Sequence, residues 1–219
     1  AADEQGSVAW SAPTHIESVN GDMTIADGTS TNAYVPVYGY YCDNKQRTQS
    51  IYPASMLADI PVGSQINSMK YYVSSGSSAS WSTGVFTVKV AETTQENLSS
   101  GWDNTALTTV YNGTLTANTT DGMTVTFDSP ITYNGGNLLI QFQLDASVGY
   151  TSCNFYGVSQ TGGSRNIYGT SYLTGIGTIQ NFLPKVTFNC DYDAVVLDPI
   201  AGVVYDDTDP DHIAYVDYQ

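Results

Sequence analysis

Across residues 137–145 the side chains alternate in character: Leu138, Ile140, Phe142 and Leu144 are interleaved with Leu139, Gln141, Gln143 and Asp145. A period of two is what a strand with one dry face requires, because successive side chains leave a pleated backbone on opposite sides. The same alternation sets Phe86, Val88 and Val90 against Thr87 and Lys89, and Met123, Val125 and Phe127 against Thr124, Thr126 and Asp128. Met69, Tyr71 and Val73 continue it, as do Val186, Phe188 and Cys190. Further strands are predicted over residues 33–41, 47–52, 107–111, 153–158 and 166–173. Asn112-Gly113, Asp121-Gly122 and Asn134-Gly135-Gly136-Asn137 tolerate the positive φ of tight turns and punctuate these runs. Helix is nearly absent, with single turns expected at residues 53–59 and around 95–98. About ten short strands separated by turn signals predict an all-β chain, an antiparallel, jelly-roll-like β-sandwich. Ile140, Phe142, Val88 and Phe127 should then meet in the dry layer between two sheets.

Charge locates the domain. Only 12% of residues are charged, and the formal net charge is −15. Residues 1–27 hold five carboxylates and no base, residues 28–190 hold eight carboxylates and all six bases, and residues 191–219 hold eight carboxylates and no base. The reading is an N-terminal extension or leading strand over 1–27, a sandwich over 28–190 and an acidic, partly docked extension over 191–219. Val195-Val196-Leu197 and residues 200–205 are apolar enough to add strands there. Such an acidic chain would be repelled by a phosphate backbone, so nucleic acid is not an expected partner. No apolar run reaches the roughly 20 residues of a spanning helix. The chain opens on Ala1-Ala2-Asp3-Glu4-Gln5, without the features of an export signal, so a signal or lipid anchor is expected in a removed segment. Hydroxyl and amide side chains together with 17 tyrosines fill positions where Lys and Glu would stand in a cytosolic protein, which points to the cell exterior. Cys42, Cys153 and Cys190 have no C-x-x-C spacing and leave free thiols or a single bridge open.

From Met23 to Phe188 the order of segments resembles a β-sandwich module that recurs in surface and secreted proteins of Bacteroidetes. The resemblance lies in Ile25-Ala26-Asp27-Gly28-Thr29-Ser30-Thr31-Asn32-Ala33-Tyr34-Val35-Pro36, Tyr38-Gly39-Tyr40-Tyr41 and Gln49-Ser50-Ile51-Tyr52-Pro53-Ala54. It continues in Thr132-Tyr133-Asn134-Gly135-Gly136-Asn137-Leu138 and Phe182-Leu183-Pro184-Lys185-Val186-Thr187-Phe188. It implies a jelly-roll-like sandwich on an outer-membrane lipoprotein or a secreted multidomain protein, serving adhesion or accessory binding. It carries no catalytic or ligand residues over to this chain.

The residues offer little to an enzyme. Both histidines, His15 and His212, lie outside the predicted sandwich, and there is no H-E-x-x-H, G-x-S-x-G or phosphate loop. Glu92, Glu96 and Asp103 could supply the two acids of a glycosidase, but solvated or turn-capping acids in the loop after the strand at 85–90 are the favoured reading. Aromatic faces are the stronger signal, because a flat Tyr or Trp ring stacks on the apolar face of a sugar while amides bind its hydroxyls. The ligand-binding candidates are Trp81, Tyr38, Tyr40, Tyr41, Trp102 and Tyr150, with Tyr156 and Tyr168 behind them. Asp206, Asp207, Asp209 and Asp211 form a calcium candidate without the Gly or the final Glu of an EF-hand loop. No other cofactor is expected. The expected function is non-catalytic binding or adhesion at a cell surface, with a glycan or a protein as ligand. The rivals are a structural spacer of a larger surface protein and, last, a glycosidase-like enzyme.

Overall fold

The computed structural model describes residues 14–76, 81, 83–197, 203–204 and 215–216. In chain order the strands are β1 (Thr14–Ile25), β2 (Ser30–Asn32), β3 (Gln46–Tyr52), β4 (Gln65–Tyr71), β5 (Val73–Gly76), β6 (Val85–Thr93) and β7 (Thr108–Thr114). They continue as β8 (Met123–Thr132), β9 (Asn137–Leu144), β10 (Cys153–Tyr168), β11 (Thr178–Pro184), β12 (Val186–Leu197), β13 (Val203–Val204) and β14 (Tyr215–Val216). One sheet has the order β1-β12-β4-β8. The other runs β11-β10-β3-β9-β6-β7, with β2 and β5 also pairing with β10. Twelve strands in these two sheets form the antiparallel sandwich.

The alternation in sequence becomes the interior. Leu138, Ile140, Phe142 and Leu144 of β9 point inward beside Phe86, Val88 and Val90 of β6. The opposite sheet contributes Met69 and Tyr71 of β4, Met123, Val125 and Phe127 of β8, and Val186, Phe188 and Cys190 of β12. All belong to one core cluster, and the four residues expected in the dry layer are among them. Two edge-to-face ring pairs bridge the sheets: Tyr52 with Phe188, centroids 6.0 Å apart, and Tyr71 with Phe142, 5.6 Å apart. Such pairs contribute beyond the area they bury. The three cysteines are free and buried, and burial pushes their thiols up to about 12 for Cys42 and Cys153 and about 11 for Cys190.

Several local expectations are corrected. Residues 33–41 are not a strand: Pro36 has no N–H to give a ladder, and the segment ends in a single 3-10 turn at Gly39–Tyr41. Asn112-Gly113 is no hairpin turn, because β7 runs through it in register with β6 as far as Thr114 opposite Val85. The strands expected at 153–158 and 166–173 are one 16-residue strand, β10, whose register with β11 shifts between Ser159 and Ser164. It stops at Tyr168 because Gly169 turns the chain at φ +93. The turn expected at 53–59 contracts to Ala54–Met56, and none forms at 95–98.

The compact unit that holds the sandwich is Asn20–Tyr192. The second half of β1, in the four-stranded sheet, falls within this unit. Ala1–Val19 and Asp193–Gln219 form a second unit, containing the outer ends of β1 and β12 and the short antiparallel pair β13–β14. Among the described residues, no helix is long and apolar enough to cross a membrane.

Phe142 sits at the centre of the interior, 3% exposed. Phe142→Ala should destabilise the fold by about 3–5 kcal/mol. In urea this appears as a lower midpoint with an unchanged slope.

Candidate aromatic binding surface

Six tyrosines gather around the 3-10 turn at Gly39–Tyr41. Tyr38 is the hub, with ring centroids 4.7 Å from Tyr34, 5.0 Å from Tyr41, 5.6 Å from Tyr168 and 6.5 Å from Tyr40. Tyr41 stacks on Tyr168 at 4.0 Å, and Tyr40 extends the group to Tyr150 at 5.6 Å. Tyr34, Tyr40, Tyr150 and Tyr168 are 41%, 53%, 58% and 43% exposed, so the cluster is a surface rather than a core. Contiguous exposed aromatic rings are the kind of feature that marks an interaction site.

The scaffold beneath explains why the rings converge. Gln46, the first residue of β3, is buried and grips the tyrosine turn from below. Its Oε1 accepts the Tyr38 N–H at 2.9 Å, and its Nε2 donates to the carbonyls of Tyr38 and Tyr41 at 3.1 and 3.3 Å. Gly39 lets the loop carrying Tyr150 approach: its carbonyl accepts the Thr151 N–H at 3.0 Å, and a Cβ there would lie 2.2 Å from the Thr151 carbonyl oxygen. That oxygen also accepts the indole N–H of Trp81 at 3.3 Å.

Trp81 is therefore corrected. It is fully buried against Phe86, centroids 6.1 Å apart, and supports the Tyr150 loop instead of offering a face to a ligand. Trp102 is half-buried, with a ring face already occupied. The Arg47 guanidinium lies 3.9 Å over its ring, and its indole N–H donates to the Gly175 carbonyl at 2.8 Å. Tyr38, Tyr40, Tyr41 and Tyr150 do come together, joined by Tyr168 and by Tyr34, which was not singled out in the sequence. Tyr156 makes no ring contact among the described residues. Burial, reinforced by the neighbouring phenols, pushes Tyr38 up to about 12. A hydrogen bond with Tyr168 raises Tyr41. At neutral pH these two hydroxyls stay protonated and able to donate.

The candidate acids hold backbone. Both oxygens of Glu92 accept N–H groups of the β8–β9 turn, from Asn134 and, at 2.7 Å, from Gly136. Asp103 is buried and accepts from the Thr93 hydroxyl at 2.5 Å and the Thr105 N–H at 2.7 Å, while its own main chain pairs with the side chain of Gln49. Glu96 lines a polar hollow of about 420 Å³ with Ser55, Asn97, Asn137 and Gln160. Among the described residues, no three His, Cys, Asp or Glu side chains are grouped to hold a metal ion. Asp206, Asp207, Asp209 and Asp211 lie outside the described residues.

Compared with known proteins, the chain matches no family model, no curated protein and no solved structure.

Burial acts to raise the Asp103 pKa, but the hydrogen bonds from Thr93 and Thr105 outweigh it and hold the carboxyl below the ordinary range. A depressed folded-state pKa means that the carboxylate stabilises the fold fully above the unfolded-state value, and that this is lost as pH falls through the folded-state value. Asp103→Asn should therefore destabilise the protein by about 1–3 kcal/mol at pH 7. In urea melts the gap between the two proteins should narrow on acidification below about pH 4.

Proposed function

We propose that this chain is a non-catalytic binding module, displayed on a cell surface or secreted, that takes glycans on the tyrosine cluster. The observation that carries this reading is the convergence of Tyr34, Tyr38, Tyr40, Tyr41, Tyr150 and Tyr168 on one patch, four of them more than two-fifths exposed. The rings are tilted against one another, so several flat apolar faces are offered at different angles, each edged by a phenol hydroxyl. A sugar presents the complementary combination of an apolar ring face and a girdle of hydroxyls.

A non-catalytic role accords with the commitment of Glu92 and Asp103 to main-chain hydrogen bonds. The surface location is supported by the hydroxyl- and tyrosine-rich composition.

A glycan array probed with the whole chain should retain one family of polysaccharides. Combining Tyr40→Ala with Tyr150→Ala should weaken that retention at least about tenfold, since each stacked ring contributes on the order of 1 kcal/mol. Both residues are exposed, so thermal unfolding should be unchanged. Undiminished retention by the double variant, or no retention of any glycan by the native chain, would refute the proposal.

A further inference from the structure

The outer face of the eight-stranded sheet carries cations that make no ion pair among the described residues. Register places Lys89 of β6, Gln141 of β9, Gln49 of β3 and Arg165 of β10 in one row across the sheet. The next row holds Thr87, Gln143, Arg47 and Ile167. Side chains of both rows project away from the core, because their neighbours Val88, Val90, Ile140 and Phe142 fill it. Three of the chain's six bases thus share one face of a protein whose net charge is −15.

Arg165 is fully used: its guanidinium donates to the carbonyls of Leu98, Ser99, Ile176 and Gly177 and ties two loops together. Arg47 and Lys89 are not. Among the described residues the ion pairs are His15–Glu17 and Lys185–Asp27, and neither involves this face. Arg47 lies flat over Trp102, and its Nε is buried without a hydrogen-bond partner.

The acceptors nearby are already engaged in a chain. Gln49 Nε2 donates to Gln141 Oε1 at 3.0 Å, and Gln141 Nε2 donates to Gln143 Oε1 at 3.2 Å. Gln143 Nε2 donates to both oxygens of Asp145 at 2.8 and 3.0 Å, and the Tyr172 hydroxyl donates to Asp145 Oδ1 as well. The ladder ends on the Asp145 carboxylate, and none of its members bonds to Arg47 or Lys89. Partial burial of an arginine without a counter-anion is costly, and it lowers the pKa of Arg47 by desolvation. Its fork of donors, held in one plane by Trp102, matches the paired oxygens of a carboxylate. Lys89 stands two strands and one row away, about 12 Å between Cα atoms from ordinary sheet spacings, so the two long side chains can reach one group between them.

We propose that Arg47 and Lys89, over the Gln141–Gln143 ladder, bind the carboxylate of an acidic saccharide. The saccharide part rests on the glycan reading of the tyrosine cluster; the anion part does not. The six bases all lie within residues 28–190, where only eight carboxylates accompany them.

The test is a titration of the whole chain with galacturonate oligomers and, separately, with neutral galactose oligomers, followed by the indole N–H resonance of Trp102 and by calorimetry. The uronate should shift the Trp102 signal and bind more weakly as salt rises, and the neutral sugar should leave that signal in place. Arg47→Met and Lys89→Gln should each weaken uronate binding at least about tenfold, with Lys185→Gln as a silent control. The Lys89 side chain makes no hydrogen bond or ion pair among the described residues, so its variant reports on the site even where loss of Arg47 loosens Trp102. A Trp102 signal unmoved by uronate at about 10 mM, or uronate binding indifferent to Lys89→Gln, overturns the proposal. If Tyr40→Ala with Tyr150→Ala abolishes neutral-glycan retention but leaves the uronate titration intact, both sites stand. If uronate binds through Arg47 while no neutral glycan is retained, the tyrosine reading alone fails.

Discussion

Two aromatic pairs hold the sheets face to face. Tyr52 of β3 meets Phe188 of β12, and Tyr71 of β4 meets Phe142 of β9, each edge to face. Edge-to-face geometry fixes the separation and offset of the sheets more sharply than aliphatic contact does, because the positive edge of one ring must find the negative face of the other. Tyr52 is fully buried and its hydroxyl donates to the Pro184 carbonyl at 2.7 Å, so the same residue also anchors the end of β11. With that interlock set, the period-two strands have only one way to distribute their side chains. Slipping a strand by one residue would move its whole apolar set into water.

The surface inherits its order from this interior. Gln46 continues β3 by the same pairing that places Tyr52, and reaches out of the strand to clamp the Tyr38–Tyr41 turn. Trp81, itself part of the core, holds the Thr151 carbonyl and with it the loop bearing Tyr150. The exposed rings are thus carried by hydrogen bonds from buried groups. A site organised in advance in this way gives up less conformational freedom on binding a ligand. On the opposite side of β3, Arg47 and Gln49 face outward by the same alternation that turns Gln46, Ser50 and Tyr52 inward.

Much of the fold was legible because alternation is a local signal. Ile140, Phe142, Val88 and Phe127 lie in the dry layer, as their spacing requires. Turn chemistry misled at Asn112-Gly113, where a long-range pairing with β6 overrides a local preference that any isolated peptide would show. It misled by omission along β10, where the residues between two apparent strands carry the chain past the register shift against β11. For the candidate surface, the density of tyrosine near residue 40 was visible in sequence, but the arrival of Tyr150 and Tyr168 from more than a hundred residues away depends on topology. Trp81 and Trp102 were indistinguishable in sequence from exposed platforms. Only the packing of Phe86 shows that Trp81 is enclosed, and only the stacking of Arg47 shows that a face of Trp102 is taken.

The central claim is that the sheet interlock sorts the tyrosines into a buried set and an exposed cluster. Limited nitration of the native protein, with each tyrosine followed by mass spectrometry, tests it directly. The account requires Tyr34, Tyr40, Tyr150 and Tyr168 to react while Tyr52, Tyr71 and Tyr133 are spared until the protein unfolds. Nitration of Tyr52 or Tyr71 at the rate of Tyr40 in the folded state would contradict it.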